Sequence, residues 1–425
     1  MWMSVYPRSL RVRTRKQKLS FFGFAAVKAR SPNRQCRPRR CLKSLPVGPL
    51  ITTTMEVHLS DLLRTGQNTQ DLTRFLNAML RRRAEREGWT PWRWSERQVG
   101  AMLTEPGWFY RSFTIPKKSG GERHIDAPKR TLKLVQWALV PVFSEMFTPS
   151  PHVHGFVKGR GIVDNASAHL GQAALLNVDI QGFFPSVSRA RIEGILREGP
   201  VLRMSGYMAR SIARLCTLRG GLPQGSPASA VLTNLVTVRL DARLSGLAEQ
   251  FGCRYSRYVD DITFSAPGRA PLARLLPRLE GILLSEGFAL HPDKTRLLTA
   301  SMRQEVTGLV LSGDERGAPA VNVPRPYRRR VRAMLHCWRT QGLSAAAARN
   351  GCDGANGEGP ELAFVRQLQG RVAHLRHVNP TPEVERYHAD LRDLLVLEGL
   401  ALDLAPASAE AEEAFVTSSP LTSLP

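Results

Sequence analysis

The chain reads as an α+β fold, on three observations. Tyr258-Val259-Asp260-Asp261 sits between Arg254-Tyr255-Ser256-Arg257 and Ile262-Thr263-Phe264-Ser265, a run of β-formers and aromatics that predicts a strand-turn-strand hairpin with acids at its tip. Leu176-Asn177-Val178-Asp179-Ile180 is an apolar strand that ends on a third acid, before the Gly/Pro-bounded aromatic turn Gly182-Phe183-Phe184-Pro185. Helical periodicity frames these strands on both sides, from Leu59 to Arg86 and from Tyr327 to Gln341.

In chain order, residues 1–54 form a basic leader: Arg and Lys recur from Arg8 to Lys43, and the first acidic residue is Glu56. With its short apolar stretch Phe21 to Val27, the leader has three readings: a disordered nucleic-acid arm, a targeting segment, or a mis-assigned start with the true one at Met55. Residues 55–104 should be a helical N-terminal region, because Leu62, Leu63, Leu72, Phe75, Leu76, Met79 and Leu80 recur at helical spacing. Beyond Val321, the helix from Tyr327 carries Met334, Leu335 and Trp338 inward, while Arg328, Arg329, Arg330 and Arg332 cover too many faces to be core. A Gly-rich break at Asn350 to Pro360 precedes a second helix, Glu361 to His374. The Ala/Ser/Glu/Pro-rich tail, 404–425, is expected to be disordered.

The acids carry the chemistry. Adjacent carboxylates push each other toward protonation unless a cation neutralises them, so Asp260 and Asp261 call for a divalent metal. Three carboxylates from two strand ends suit a two-metal site for in-line phosphoryl transfer, and Mg²⁺ takes such hard oxygen ligands. An isolated Asp-Asp pair is usually a solvated turn, but this pair has company. Gly220-Gly221-Leu222-Pro223-Gln224-Gly225-Ser226-Pro227 is a Gly/Pro-rich loop opening into an apolar helix. Small residues admit a ligand close to the backbone, and a helix N-terminus offers N–H groups to a phosphate or sugar.

Asp179 with Phe183-Phe184-Pro185, the Leu222-Pro223-Gln224-Gly225-Ser226-Pro227 loop and Tyr258-Val259-Asp260-Asp261 resemble, in this order, consecutive motifs of reverse transcriptases. His291-Pro292-Asp293-Lys294-Thr295 and Gly308 follow in the family's sequence, and residues 113–128 are similar to the fingers segment of the bacterial enzymes. The match runs from about residue 105 to 312. Two further segments resemble signatures of the retron class: Asn165-Ala166-Ser167-Ala168-His169, its Asn-Ala-x-x-His, and Val306-Thr307-Gly308, its Val-Thr-Gly. Taken alone, His169 reads as a satisfied helix histidine. Val259 stands where Ala is commoner in retron enzymes, and Ala230 where many relatives have a second Pro; neither removes a functional group.

The resemblance implies a right-hand polymerase with a ferredoxin-like palm sheet, fingers and palm over 105–315 and a helical thumb over 316–403. It implies that Asp179 and Asp260 ligate two Mg²⁺ ions, with Asp261 adjacent and the Ile180 carbonyl as a further oxygen. Lys294 would protonate the leaving pyrophosphate. Gln224 and Gly225 would line the nucleotide pocket, and Arg123 with Lys117 or Lys118 would grip the triphosphate. Phe184 matches the bulky gate that excludes a ribonucleotide's 2′-hydroxyl, with core packing as its plainer role. Arg328, Arg329 and Arg330 would bind RNA in the thumb, against the reading of a solvated basic helix.

The implied activity is RNA-directed DNA synthesis on a cognate structured non-coding RNA. Deoxynucleoside triphosphates would be consumed, synthesis would be primed from an RNA 2′-hydroxyl, and nascent single-stranded DNA would remain joined to RNA, in antiphage defence with an effector protein.

Composition agrees. A net charge of +24 over 425 residues implies a polyanionic partner, and basic tracts such as Arg81-Arg82-Arg83 lie within the body, although charge alone does not separate a polymerase from a ribosomal or chromatin protein. Cys36, Cys41, Cys216, Cys253, Cys337 and Cys352 form no Cys-x-x-Cys pair, which indicates neither a zinc ribbon nor a disulfide framework and fits reduced thiols in a bacterial cytoplasm. No apolar run approaches the ~20 residues that span a bilayer, so no membrane partner is expected. Three alternatives stand beside the retron reading. A group II intron enzyme would normally carry a longer extension and often a nuclease His/Cys cluster. An RNA-dependent RNA polymerase would lack the bulky gate, and a non-catalytic RNA-binding scaffold would have lost an acid.

Overall fold

The computed structural model describes residues 59–116, 120–199, 202–313, 317–352 and 359–400. The leader, the tail and Lys117 with Lys118 lie outside the described residues.

The chain begins with three helices: α1 (59–65), α2 (Thr69–Glu87) and α3 (Glu96–Thr104). Asn68 caps α2 by accepting from the Asp71 N–H, and Gly88 ends it at φ 73°, where a side chain would be strained. Its buried stripe is Leu72, Phe75, Leu76, Met79 and Leu80, as the periodicity predicts. Strands β1 (Tyr110–Pro116) and β2 (Glu122–Pro128) form an antiparallel pair. Helix α4 (Arg130–Glu145) follows, then α5 (Ile162–Ser167).

A four-stranded antiparallel sheet holds the acids. β3 (Ala174–Asp179), β4 (Arg254–Tyr258), β5 (Asp261–Ala266) and β6 (Arg296–Thr299) lie in the order β4-β5-β3-β6. β3 is apolar on both faces because both are covered. Ala174, Leu176 and Val178 face the main core, whereas Leu175 packs into a second cluster with Ala166, Val306, Leu309, Val321 and Val378. Between β3 and β4 run α6 (Phe183–Ser186), α7 (Arg189–Glu198), α8 (Gly206–Cys216) and the 24-residue α9 (Pro227–Gln250). Helix α10 (Arg269–Ser285) joins β5 to β6.

A second small sheet, β7 (Glu305–Val306), β8 (Leu309–Gly313) and β9 (Pro319–Asn322), leads into four helices: α11 (Arg325–Gln341), α12 (Leu343–Arg349), α13 (Pro360–Val378) and α14 (Pro382–Leu397). These helices share their own core, with Val331, Met334, Leu335, Trp338, Phe364, Leu368 and Leu391 buried. The expected second helix runs four residues further, to Val378, stopping before Pro380. The α+β class expected from the sequence is the one observed. Among the described residues no helix is long and apolar enough to cross a membrane.

Candidate active site

Strand register builds the acid cluster. β3 pairs with β5 so that Asp179 stands opposite Asp261, and the Ile180 N–H donates to the Asp260 carbonyl at 3.1 Å. Tyr258 pairs with Asp261 across the hairpin, leaving Val259 and Asp260 as the two turn residues. Val259 sits at φ 62°, a left-handed conformation that a β-branched residue adopts only when its surroundings impose it. The turn at Pro292–Lys294 brings the Lys294 ammonium to 2.8 Å from Asp179 Oδ2, and the His291 N–H donates to the Asp179 carbonyl at 2.8 Å.

The electrostatics match the crowding. Burial and then the Asp179 carboxylate push Asp260 above the usual carboxylate range, opposed by the Lys294 ammonium and the Arg123 guanidinium. Asp261 is pushed up to about 7, by the surrounding protein and then by Asp260 and Asp179. Its own side chain is exposed, so the like-charge repulsion is the firmer of these causes. Among the described residues no group of three or more His, Cys, Asp or Glu side chains is placed so as to hold a metal ion. The donor chemistry nevertheless fits a divalent cation: hard carboxylate oxygens, two of them disfavouring charge because of burial and the carboxylates beside them.

The 220–227 loop packs against the β1-β2 hairpin. The Gln224 carbonyl accepts from the Asp126 N–H at 2.8 Å. Gly225, at φ 116°, is strained for any side chain and crowded as well: a Cβ would meet Ile125 Cγ2 at 3.1 Å and the Asp126 carbonyl at 3.3 Å. Ser226 Oγ donates to Gln136 Oε1 and Ser229 Oγ to the Pro223 carbonyl, each at 2.8 Å, so the loop is held from both ends. Arg123 lies on β2, opposite Ile115. Phe184 is buried on α6, edge-on to Phe183 with ring centroids 5.8 Å apart. Its core-packing role is therefore present in the structure.

The two short signatures meet in space. Asn165 and Thr307, 142 residues apart, stand 3.5 Å from each other, and Ala166 shares its apolar cluster with Val306. Thr307 and Gly308 make the β7-β8 turn at φ 48° and 82°. His169 lies in the turn after α5, fully buried, with Nδ1 2.7 Å from Ser265 Oγ and Nε2 2.7 Å from Ser256 Oγ. Burial lowers its pKa to about 3, so the neutral ring ties β4 to β5 with one nitrogen donating and the other accepting. It is a satisfied core histidine, one turn past the helix.

In the helical C-terminal region, Arg325, Arg328, Arg329 and Arg332 line a cavity of about 310 Å³ with Glu383 and Tyr387, and Arg328 pairs with Glu383 at 3.5 Å. Arg330 is exposed elsewhere on α11, so the three arginines expected to act together do not share one surface. Sequence reasoning missed Ser256 and Ser265, the partners of His169, and the buried Arg257 with Asp241. Arg257 left one trace: a cation in the middle of a strand that otherwise reads as buried.

The family model described as reverse transcriptase (RNA-dependent DNA polymerase) matches residues 115–319. The retron Mx162 reverse transcriptase of Myxococcus xanthus is 37% identical over 318 residues, covering 69% of this chain and 61% of that protein. The retron Mx65 enzyme of the same organism is 36% identical over 246 residues, 53% of this chain and 55% of that one. The chain thus spans less than two thirds of either. The retron Ec86 reverse transcriptase of Escherichia coli is 33% identical over 230 residues, covering 53% of this chain and 69% of that protein. A solved telomerase from Candida albicans overlaps at a TM-score of 0.37 and 10% identity, covering 74% of this chain and 66% of that one, too loosely to bear on the argument.

Proposed function

The chain belongs to the retron reverse transcriptases, a family of right-hand polymerases, and from that premise we propose that it polymerises DNA on an RNA template at the Asp179, Asp260 and Asp261 site. The observation that carries this reading is the register that sets Asp179 against Asp261, with Asp260 in the adjoining turn and Lys294 on Asp179.

Asp179, Asp260 and Asp261, with the Ile180 carbonyl, would hold Mg²⁺, which when bound supplies activation of the primer hydroxyl and charge neutralisation at the leaving pyrophosphate. The remaining roles fall to the chain's own groups. Lys294 carries a proton at Nζ beside Asp179 and donates it to the departing pyrophosphate. Gln224 and Gly225 shape the nucleotide pocket, where Gly225 lets the backbone close on β2. Arg123, whose charge already reaches Asp260, grips the triphosphate, joined by Lys117 outside the described residues. Phe184 rejects the 2′-hydroxyl.

At the finer level, the reading is retron synthesis in the bacterial cytoplasm. A structured non-coding RNA is bound through 316–403, with Arg328, Arg329 and Arg330 contributing, and is copied from one of its own 2′-hydroxyls into branched RNA–DNA for antiphage defence with an effector protein. The net charge of +24 and the retron relatives support it. The free Cys216, Cys253, Cys337 and Cys352 are consistent with a reducing compartment.

The test is to express the full chain with its flanking DNA and look for a debranching-sensitive DNA. Its appearance with the parent and loss with Asp260→Asn would support the reading. Extension of a primed RNA template without branched DNA would leave a reverse transcriptase of another class, and a parent inactive in both assays would reject polymerisation.

A further inference from the structure

Helix α9 connects two parts of the site. Its N-terminus opens from the Gln224-Gly225 loop, and further along one face it buries Asn234, Thr237 and Asp241, at spacings of three and four residues. Facing them, wholly buried, is Arg257, two residues ahead of Val259. Its Nε donates to Asp241 Oδ1 at 2.7 Å and its Nη2 to Asp241 Oδ2 at 2.8 Å, a two-pronged pairing. Nη2 also meets Thr237 Oγ1 at 2.8 Å and Asn234 Oδ1 at 3.2 Å. The Tyr255 hydroxyl donates to Asp241 Oδ1 at 2.7 Å, adding to the anchor.

The remaining prong reaches the turn: Nη1 donates to the Val259 carbonyl at 3.0 Å. Residues 152–154 lie alongside β4, with the His154 N–H donating to the Arg257 carbonyl and the Arg257 N–H to the His152 carbonyl, each at 2.9 Å. Gly155 then closes on the turn so tightly that a Cβ would stand 2.6 Å from the Val259 nitrogen. Asn234 Nδ2 donates to the Gly155 carbonyl at 2.9 Å, tying that segment to the same helix face.

A buried ion pair is a poor device for stability, since well-packed apolar residues of similar volume often do as well or better. A guanidinium is the group that can fork onto one carboxylate and still offer a third donor in a fixed direction. Here that direction is the carbonyl of the one turn residue held at positive φ.

We propose that Arg257, anchored by Asp241, is a positioning residue that fixes the Val259 carbonyl and thereby the placement of the Asp260 and Asp261 carboxylates for metal binding. The inference rests on the polymerase reading of those acids. It assigns the Asn234, Thr237 and Asp241 face of α9 the task of joining the nucleotide loop to the metal-binding turn.

The test uses the full chain with Arg257→Lys and with the paired substitution Arg257→Met/Asp241→Leu. Three measurements are made: unfolding midpoint, Mn²⁺ affinity from the electron paramagnetic resonance of free Mn²⁺, and extension of a primed RNA template. We expect the Met/Leu pair to fold, because no charge is left buried alone, and to bind Mn²⁺ at least about tenfold more weakly, with extension falling alongside. Arg257→Lys should do the same, since an ammonium cannot serve Asp241 and the Val259 carbonyl together. Parental Mn²⁺ affinity in either folded variant overturns the proposal, as does unfolding of both, which would make the pair structural. A parent that binds Mn²⁺ but extends no primer refutes the polymerase reading alone, while the Mn²⁺ comparison still decides the role of Arg257.

Discussion

His169 shows what one side chain contributes when buried neutral between two hydroxyls. Its pKa falls from the ordinary 6.5 to about 3, so between those values the unfolded chain takes up a proton that the folded chain refuses. The stability tied to His169 is therefore complete above about pH 6.5 and is lost as pH falls toward 3. His169→Gln should make the decline of unfolding free energy on acidification shallower, by up to about 1.4 kcal/mol per pH unit, in denaturant titrations between pH 6 and 4. An unchanged slope would show that the ring does not titrate on unfolding. Phe184 separates packing from selection: Phe184→Ala should cost about 3–5 kcal/mol of stability as a buried aromatic is truncated. It should also admit ribonucleotides in extension assays. A lowered midpoint with undiminished rejection of ribonucleotides would leave Phe184 as core alone. The acids were legible because Asp260-Asp261 is a local pattern; Asp241 was not, because a mid-helix carboxylate acquires meaning only from its partner, an arginine in a different element, on the strand that follows the helix.

At the scale of elements, the stripe of α2 could be read from helical periodicity and the hairpin at 254–265 from its run of β-formers and aromatics, both of which are local. Strand β7 spans two residues, too short to show any period, and its pairing with β8 depends on the Thr307-Gly308 turn. Helix α14 did carry a local signal, Thr381 capping the Val384 N–H with Pro382 at the first turn, ahead of the apolar positions Val384, Tyr387, Leu391 and Leu394. Helix α11 displays its arginines on more than one face, and this divides their expected effects. Arg329 lines the cavity beside Glu383 and Tyr387, so Arg329→Ala should weaken binding of the cognate RNA more than that of random RNA. Arg330 stands open to solvent, so Arg330→Ala should weaken both equally and reduce the slope of log affinity against log salt by about one. Filter binding over a salt series distinguishes the two, and equal behaviour would return Arg329 to general phosphate contact.

Across the whole molecule, the core of α11–α14 is distinct from the main core, with the Leu175, Val306 and Val378 cluster between them. Leu368→Ala, in the C-terminal core, should cost about 2–5 kcal/mol and shift one calorimetric transition while the other stays in place. A uniform shift would mean that the two cores unfold as one. The four-stranded sheet depends on contacts more distant in the chain than those helices do. β3 must wait for β5 and then β6, and the Asn165–Thr307 contact closes a gap of 142 residues. Pairings between distant residues pay their loop-closure entropy before any contact rewards it, and they slow folding by orders of magnitude relative to local helices. On the ribosome, β3 emerges with neither neighbour available, an apolar strand with two open edges until β5 and β6 are made. The yield of active protein should therefore depend on the pace of synthesis and on chaperones far more than the final packing would suggest.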